Sequence, residues 1–212
     1  GERADHAKVI EAIRVMEQNL DMPVAVLADL QGPKIRVGDL NDGEMELRYD
    51  QTIELVCRAR QDESGASIPI PHQEIFEVSQ PGDQLLFDDG RLACKITDVS
   101  PDKIVAKVTV PGTLKNRKGV NVPDRRLMIS ALTEKDKSDL QTALEAGADF
   151  IALSFVQHPD DIREARAIIG DRARILAKIE KPSALEYLDE IIAEADAVMV
   201  ARGDLGVELP AE

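Results

Sequence analysis

The residues best suited to chemistry stand where short apolar segments of the sequence end. Lys178 and Glu180 close the segment RILAKIE (174–180), and Asp204 follows the next apolar segment. Side chains alternate along a strand, so Leu176, Lys178 and Glu180 would share one face. Two carboxylates such as Glu180 and Asp204 suit Mg²⁺, and a lysine beside them would neutralise a phosphoryl group in transfer. The pattern therefore indicates a site for phosphoryl chemistry.

The same residues have an ordinary structural alternative. A lysine and a glutamate that end an apolar strand are costly to bury unless they pair with each other or hold a ligand. A salt bridge of Glu180 with Lys178 or Arg202 would satisfy them without any catalytic role, because ion pairs at strand ends are often only structural. Spacing alone leaves both interpretations open.

Other polar residues stand at comparable places. Ser154 and Asp29 also end apolar segments, and Asp29 is followed by GPKIR, in which Lys34 and Arg36 could face a phosphate. The alternative is a Gly-Pro turn that carries solvated charges. The basic cluster KNRKG (115–119) could attract an anionic ligand or could be a solvated turn.

The elements that position these residues follow from the apolar patterns. Short apolar runs predict four strands of a parallel sheet, at 24–30, 150–156, 174–180 and 196–201. Four amphipathic helices are predicted. The first covers 4–20, the second runs from a Thr133–Asp136 capping box to Gly147, and the third covers 160–169. The fourth begins at the capping pattern Ser183-x-x-Glu186. The last of these would bury Leu185, Leu188, Ile191 and Ile192 on one face. Alternating strands and helices predict right-handed crossovers.

The middle of the chain has a different pattern. Between about Gly38 and Asp124, short β-rich runs are separated by the turn signals NDG, PGD, DDG and SPD. The runs are EMELRY (44–49), TIELVC (52–57), DQLLF (83–87), RLACKITDV (91–99) and KIVAKVTV (103–110). They predict a separate, mostly antiparallel β domain. Four parallel strands are half of the eight that close a (β/α)₈ barrel, so the sequence predicts an open doubly wound sheet or the middle of a barrel.

Composition excludes several classes of function. The chain of 212 residues has a formal net charge of −14 and no Trp, which argues against nucleic-acid binding and against an anionic membrane surface. No apolar run reaches the length of a membrane span, and no signal peptide is visible. Cys57 and Cys94 lack the spacing of a disulfide framework or a zinc site, and the three histidines are assigned to surface or capping roles. We therefore expect a cytoplasmic protein.

Taken together, several motifs resemble the pyruvate kinase family. They occur in the family's order and cover essentially the whole chain: DLQGPKIRVG (29–38), DDG (88–90), LKNRKGVNVP (114–123), LTEKD (132–136), IALSFV (151–156), AKIEKP (177–182) and VMVARGDLGVELPAE (198–212). The resemblance implies an α/β fold, a partial (β/α)₈ TIM barrel with an inserted small β-barrel domain. The segments expected are 1–38 for the first part of the barrel, 39–124 for the inserted lid domain and 125–212 for the second part of the barrel.

The resemblance also implies a role for each matching residue. Lys178 matches the lysine that contacts the phosphoryl group and stabilises the transition state, and Glu180 and Asp204 match the carboxylates that hold Mg²⁺ or Mn²⁺. The backbone amides of Gly203 and Asp204 match those that bind the substrate carboxylate. The remaining matches are Asp29 and the Leu30 carbonyl for K⁺, and Arg36 and Lys118 for the nucleotide phosphates.

The implied reaction is phosphoryl transfer from phosphoenolpyruvate to ADP, which gives pyruvate and ATP in glycolysis, by a full-length homotetramer. The chain starts at Gly1 without a Met, and it aligns from the second barrel helix to the sixth strand, so we expect an internal segment that is inactive alone. One alternative is a silent fragment that only binds phosphate or Mg²⁺. Another is a different Mg²⁺-dependent barrel enzyme acting on phosphoenolpyruvate or pyruvate, such as a lyase, although a lyase would not need Arg36 and Lys118 to hold a nucleotide.

Overall fold

The structure is a computed structural model that describes residues 3–123, 125–127 and 129–209. The α-helices of these residues are α1 (Arg3–Leu20), α2 (Gln73–Val78), α3 (Glu134–Glu145), α4 (Pro159–Ile169), α5 (Leu188–Glu194) and α6 (Arg202–Glu208), and a 3₁₀ helix covers Pro182–Tyr187. The strands are β1 (Leu27–Asp29), β2 (Glu44–Leu47), β3 (Thr52–Val56), β4 (Ser67–Pro69), β5 (Gln84–Phe87), β6 (Leu92–Ser100), β7 (Lys103–Val110), β8 (Gly112–Lys115), β9 (Val120–Asn121), β10 (Phe150–Leu153), β11 (Arg174–Ile179) and β12 (Ala197–Val200).

One compact unit, Gly1–Pro33 with Ser130–Leu205, is built on a four-stranded sheet. Its strand order is β1-β10-β11-β12, and every neighbouring pair is parallel. Asp29 is in register with Ala152 on β10, and Lys178 on β11 is in register with Met199 on β12. The prediction of four parallel strands is confirmed. The carboxyl ends of these strands therefore meet at one edge, where the predicted site residues lie.

One face of this sheet forms the core against the helices. Ile151 and Leu153 of β10 and Ile175, Ala177 and Ile179 of β11 belong to one buried cluster. The helical members of the cluster include Leu140 on α3, Ile162 and Ile169 on α4, and Ile191 on α5. Because alternate residues of a strand point to opposite faces, Lys178 lies on the face away from these helices. The core thus fixes the strands and leaves the other face to the polar residues.

The ends of two helices follow the predicted capping signals. Thr133 and Asp136 form a reciprocal capping box at the start of α3. His158 caps α4 through a bond from the Asp160 N–H to its Nδ1, and Gly170 is the C-cap of α4. The capping role expected for a histidine is confirmed at this position.

Two predictions about this unit are wrong. The segment 24–30 forms only the short strand β1, and Val24 and Leu27 are exposed. Among the described residues β1 is an edge strand that pairs with β10 alone. Ser183 does not cap the following helix, since its hydroxyl donates to the Gln157 side chain at 3.0 Å and a 3₁₀ helix begins there. Leu185 and Ile192 are consequently exposed while Ile191 is buried.

The other compact unit is Lys34–Ile129 together with the residues from Gly206. It contains a six-stranded sheet of order β4-β3-β7-β6-β5-β9 and a two-stranded pair, β2 with β8. The sequence patterns predict β2, β3, β5, β6 and β7, while β4, β8, β9 and the six-residue helix α2 are not predicted. The expected boundaries at 39 and 124 lie inside this unit.

The described residues contain no helix that is both long enough and apolar enough to cross a membrane.

Candidate active site

Four polar side chains meet at the carboxyl edge of the four-stranded sheet. The Lys178 Nζ lies 3.0 Å from Glu180 Oε1 and 3.1 and 3.2 Å from the two carboxylate oxygens of Asp29. It also donates to the Ser154 hydroxyl at 3.0 Å. Three groups thus converge on the Lys178 ammonium: Asp29 of β1, Ser154 just after β10 and Glu180 just after β11. We call these four residues the strand-end cluster.

Burial within the strand-end cluster is graded. The side chains of Glu180 and Lys178 are 2% and 14% exposed, whereas Asp29 is 54% exposed. Burial opposes the charge of Lys178, but its hydrogen bonds and ion pairs with Glu180 and Asp29 outweigh this effect and raise the pKa of Lys178 above its ordinary value. The Lys178 side chain is therefore held as a cation, and the cluster is open to solvent at Asp29.

The Lys178–Glu180 salt bridge named as the structural alternative is present, and it does not exclude a metal. Glu180 Oε1 holds the lysine, and Oε2 accepts the backbone N–H of Phe155 at 2.9 Å. A carboxylate offers about four lone-pair sites, so Glu180 keeps acceptor capacity for a hard cation. Among the residues described, no group of three His, Cys, Asp or Glu side chains forms a ready metal site. A bound Mg²⁺ would thus take most of its ligands from substrate and water, as this ion commonly does.

The other residues expected at the metal and carboxylate sites are Gly203 and Asp204. Both lie in the first turn of α6, immediately beyond β12. Since β12 is the neighbour of β11 in the sheet, this turn follows the strand next to Glu180. The convergence of Asp204 with Glu180 on one ion stays a prediction.

The residues expected to bind K⁺ are next to the strand-end cluster. The Leu30 carbonyl accepts the Ser154 hydroxyl at 2.7 Å, and the same hydroxyl is 3.4 Å from Asp29 Oδ1. A carboxylate and a carbonyl are hard oxygen donors, and the exposure of Asp29 leaves room for further ligands. These two groups are chemically suited to a monovalent cation, but they would be only part of its coordination.

Arg36 and Lys118 lie on adjoining segments of the β-rich unit. Arg36 forms an antiparallel bridge with Gly119, and its guanidinium donates to the Arg117 carbonyl at 2.8 Å. The Lys118 Nζ pairs with Asp88 at 2.7 Å. The structure therefore brings together the segments of two basic residues that the sequence separates by more than eighty positions. It also pairs Lys118 with Asp88 of the motif DDG (88–90), a contact that the sequence patterns do not predict.

Two functional contacts escape sequence reasoning. The sequence marks Ser154 only as a polar residue at a strand end, although its hydroxyl connects Lys178 with Leu30. Phe155 lies within the motif IALSFV (151–156), but the sequence does not predict its contact with Glu180, because that contact is made by the main-chain N–H. The backbone geometry that allows this contact depends on the fold.

Comparisons with known proteins agree with the motifs. A family model described as pyruvate kinase, barrel domain, matches residues 1–212. A pyruvate kinase of Agrobacterium vitis is 53% identical over all 212 residues of this chain, which cover 44% of that protein. A pyruvate kinase of Methylorubrum extorquens is 45% identical over 203 residues, 96% of this chain and 42% of that protein.

Solved structures give the same result. The crystal structure of a pyruvate kinase from Cryptosporidium parvum superposes with a TM-score of 0.91 and 31% sequence identity, and the match covers 99% of this chain and 45% of that one. The chain thus spans less than half the length of the relatives it matches. Family model, curated relatives and solved structure all agree: the chain belongs to the pyruvate kinase family.

Proposed function

We propose that this chain carries central parts of the active site of a pyruvate kinase, the phosphotransferase that moves a phosphoryl group from phosphoenolpyruvate to ADP. The observation that carries the proposal is the strand-end cluster, in which Lys178 is fixed by Glu180, Asp29 and Ser154. Family membership suggests the reaction, and the fixed ammonium of Lys178 supports the proposal, because phosphoryl transfer is catalysed by preorganised positive charge.

Lys178 is the proposed phosphoryl-binding residue. In the reaction the bond between phosphorus and the enol oxygen of phosphoenolpyruvate breaks, and a bond forms between phosphorus and a terminal β-phosphate oxygen of ADP. The enolate that remains takes up a proton at its methylene carbon and becomes pyruvate. Charge spreads over the phosphoryl oxygens during transfer, and an ammonium held in place stabilises it without reorganisation.

The carboxylates of Glu180 and Asp204 would hold Mg²⁺ or Mn²⁺. When bound, the ion neutralises charge on the phosphate oxygens. The backbone amides of Gly203 and Asp204 would bind the substrate carboxylate, and Asp29 with the Leu30 carbonyl would provide part of a K⁺ site. Phe155 keeps Glu180 oriented by its N–H.

Arg36 and Lys118 would contact the phosphates of ADP and ATP. In this proposal residues 39–124 form a small β-barrel domain that acts as a lid, inserted between the barrel segments 1–38 and 125–212 of a (β/α)₈ fold. The full-length protein would be a cytoplasmic homotetramer of glycolysis, with neither nucleic acid nor membrane as a partner.

A polypeptide of these 212 residues alone is expected to be inactive. Its four parallel strands are half of a closed barrel, and Asp29 is more than half exposed. Solvent weakens electrostatic stabilisation of a phosphoryl group at such an open site. Such a polypeptide would then only bind phosphate or Mg²⁺.

A coupled assay with lactate dehydrogenase tests the proposal on the full-length protein. We expect pyruvate to form from phosphoenolpyruvate only when ADP and Mg²⁺ are both present, with one ATP for each pyruvate. Replacing Arg36 by Met should raise KM for ADP about tenfold or more, because a charged phosphate contact is lost. Pyruvate formation that does not need ADP would instead favour the lyase alternative.

A further inference from the structure

The turn after β10 holds both members of the Lys178–Glu180 pair through two consecutive residues. Ser154 accepts a hydrogen bond from the Lys178 ammonium at 3.0 Å, and the backbone N–H of Phe155 donates to Glu180 at 2.9 Å. Ser154 is 4% exposed. One turn therefore contacts both the proposed phosphoryl-binding group and the proposed metal ligand.

The backbone of this turn is in an uncommon conformation. Phe155 has φ 58°, a left-handed conformation that costs a bulky residue roughly 1 kcal/mol or more. Such a conformation persists only where its surroundings fix it, and it recurs at functional sites. At Phe155 it aims the N–H at the carboxylate of Glu180.

Neighbouring residues fix the conformation from two sides. Gly32 is buried against the turn: a methyl group built on it would lie 2.9 Å from Cδ2 of Phe155 and 3.0 Å from the Ser154 carbonyl oxygen. The N–H of Gly32 donates to Asp136, the fully buried carboxylate of the α3 capping box. The Lys181 ammonium lies 5.8 Å from the centre of the Phe155 ring.

We propose that Ser154 and Phe155 form a positioning turn, braced by Gly32, that sets the Lys178 ammonium and the Glu180 carboxylate for the reaction. The inference rests on the proposed function. It assigns no contact with substrate to either residue: Ser154 acts through Lys178 and Phe155 acts through Glu180. The turn should therefore affect kcat more than KM. The main-chain N–H of Phe155 should affect metal affinity, because it orients the Glu180 carboxylate.

The Ser154 arm is tested with two variants of the full-length protein. Ser154→Ala removes the hydroxyl, and Ser154→Cys keeps a similar side-chain volume with only a weak hydrogen-bonding group. We expect kcat to fall about 10- to 100-fold in both, because a hydrogen bond to a charged group is lost, while KM for phosphoenolpyruvate and ADP changes less than about threefold. A wild-type kcat in Ser154→Cys would show that only side-chain volume matters and would overturn the role of the hydroxyl.

The Phe155 arm is tested by Mn²⁺ binding, followed by electron paramagnetic resonance without substrates. Gly32→Ala should displace the turn and lower Mn²⁺ affinity about tenfold. The matched control is Gly147→Ala. Gly147 also has a positive φ, 85°, but no atom of the residues described lies within 4 Å of a methyl group added there. Equal Mn²⁺ affinity in the two variants would overturn the bracing role.

A third variant keeps this test informative if Gly32→Ala does not fold. Phe155→Gly retains the N–H but removes the ring and the restraint on φ, so we expect weaker Mn²⁺ binding in a folded protein. Unchanged binding would contradict the proposal.

Failure of the positioning turn and failure of the proposed function give different results. A wild-type protein that makes pyruvate while Ser154→Ala keeps full kcat overturns the positioning turn alone. A wild-type protein without ADP-dependent activity overturns the proposed function, and the Mn²⁺ measurements still test the turn.

Discussion

Lys178 contacts three side chains that carry oxygen, those of Asp29, Ser154 and Glu180. Because of these several partners, a substitution at one of them leaves the ammonium with other acceptors. Glu180 is almost fully buried, while Asp29 is exposed. Removing one partner of a buried pair is costly when it leaves an unpaired charge. Lys178 avoids that situation when Glu180 alone is neutralised, since Asp29 and Ser154 remain as acceptors.

Glu180→Gln should therefore separate metal binding from folding. The amide oxygen of Gln can still accept the Phe155 N–H, so we expect Tm to change by only a few degrees. Mn²⁺ affinity should fall about 100-fold or more, because substitutions even outside the ligand shell cost 10- to 100-fold. Titration with Mn²⁺ checks this, with the exposed Glu186→Gln as the control. Unchanged affinity in Glu180→Gln would remove Glu180 from the metal site.

Asp83 offers a pH-dependent test in the β-rich unit. Burial alone would raise the pKa of Asp83, but hydrogen bonds from Arg125 and from the Gln80 N–H outweigh it and lower the pKa below its ordinary value of 3.8. A depressed carboxyl pKa adds stability above the unfolded-state pKa, and that stability disappears as the pH falls through the folded-state value.

Asp83→Asn should thus destabilise the protein by about 1–3 kcal/mol at pH 7. The difference from wild type should shrink progressively below about pH 3.8. Urea denaturation across this pH range measures it, and Asp42→Asn, on the exposed surface, is the control. A difference between Asp83→Asn and wild type that does not depend on pH would contradict the ion-pair explanation.

At the scale of elements, α3 shows how a local sequence signal supports a distant site. The Thr133–Asp136 capping box begins the helix, and the same Asp136 accepts the N–H of Gly32. Thr133→Ala removes one cap bond and should lower the free energy of unfolding by about 1 kcal/mol. Thermal denaturation measures this, with Ser138→Ala in the exposed helix interior as a near-neutral control. A loss equal to that of Ser138→Ala would show that the cap does not contribute.

The predictable elements are those with a strong local signal. The periodic pattern of KIVAKVTV predicts β7 over Lys103–Val110, and the Thr133–Asp136 capping box predicts the start of α3. The strand β4 contains Pro69 and β9 is two residues long, so neither has a pattern to detect. Ser183 illustrates a misleading signal: its hydroxyl bonds to Gln157 from another segment, and tertiary contact overrides the local capping preference.

The same distinction applies to the site. Side-chain alternation in 174–180 places Lys178 and Glu180 on one face, as the structure shows. The contacts of Ser154 with Lys178 and of Phe155 with Glu180 join residues more than twenty positions apart. They depend on strand order and on a left-handed backbone at Phe155, which periodicity and composition do not encode.

At the scale of the whole molecule, the parallel sheet has two open edges. Within the part of the chain that the structure describes, β1 and β12 each pair with one neighbour only, and Leu27, Val198, Met199 and Val200 are exposed hydrophobic side chains. A closed eight-stranded barrel has no such edges. The exposed edges accord with relatives that are more than twice as long as this chain.

The kcat of Lys178→Met in the full-length protein is the most direct test of the role proposed for Lys178 in phosphoryl transfer. It is measured by the coupled pyruvate assay. The control is Lys135→Met, a substitution at an exposed lysine of α3. Circular dichroism verifies that both variants are folded. If Lys178 stabilises the phosphoryl group in transfer, kcat of Lys178→Met falls at least 10²- to 10³-fold, while Lys135→Met stays within about twofold of wild type. Turnover of folded Lys178→Met at the wild-type rate would contradict the assignment of phosphoryl transfer to the strand-end cluster.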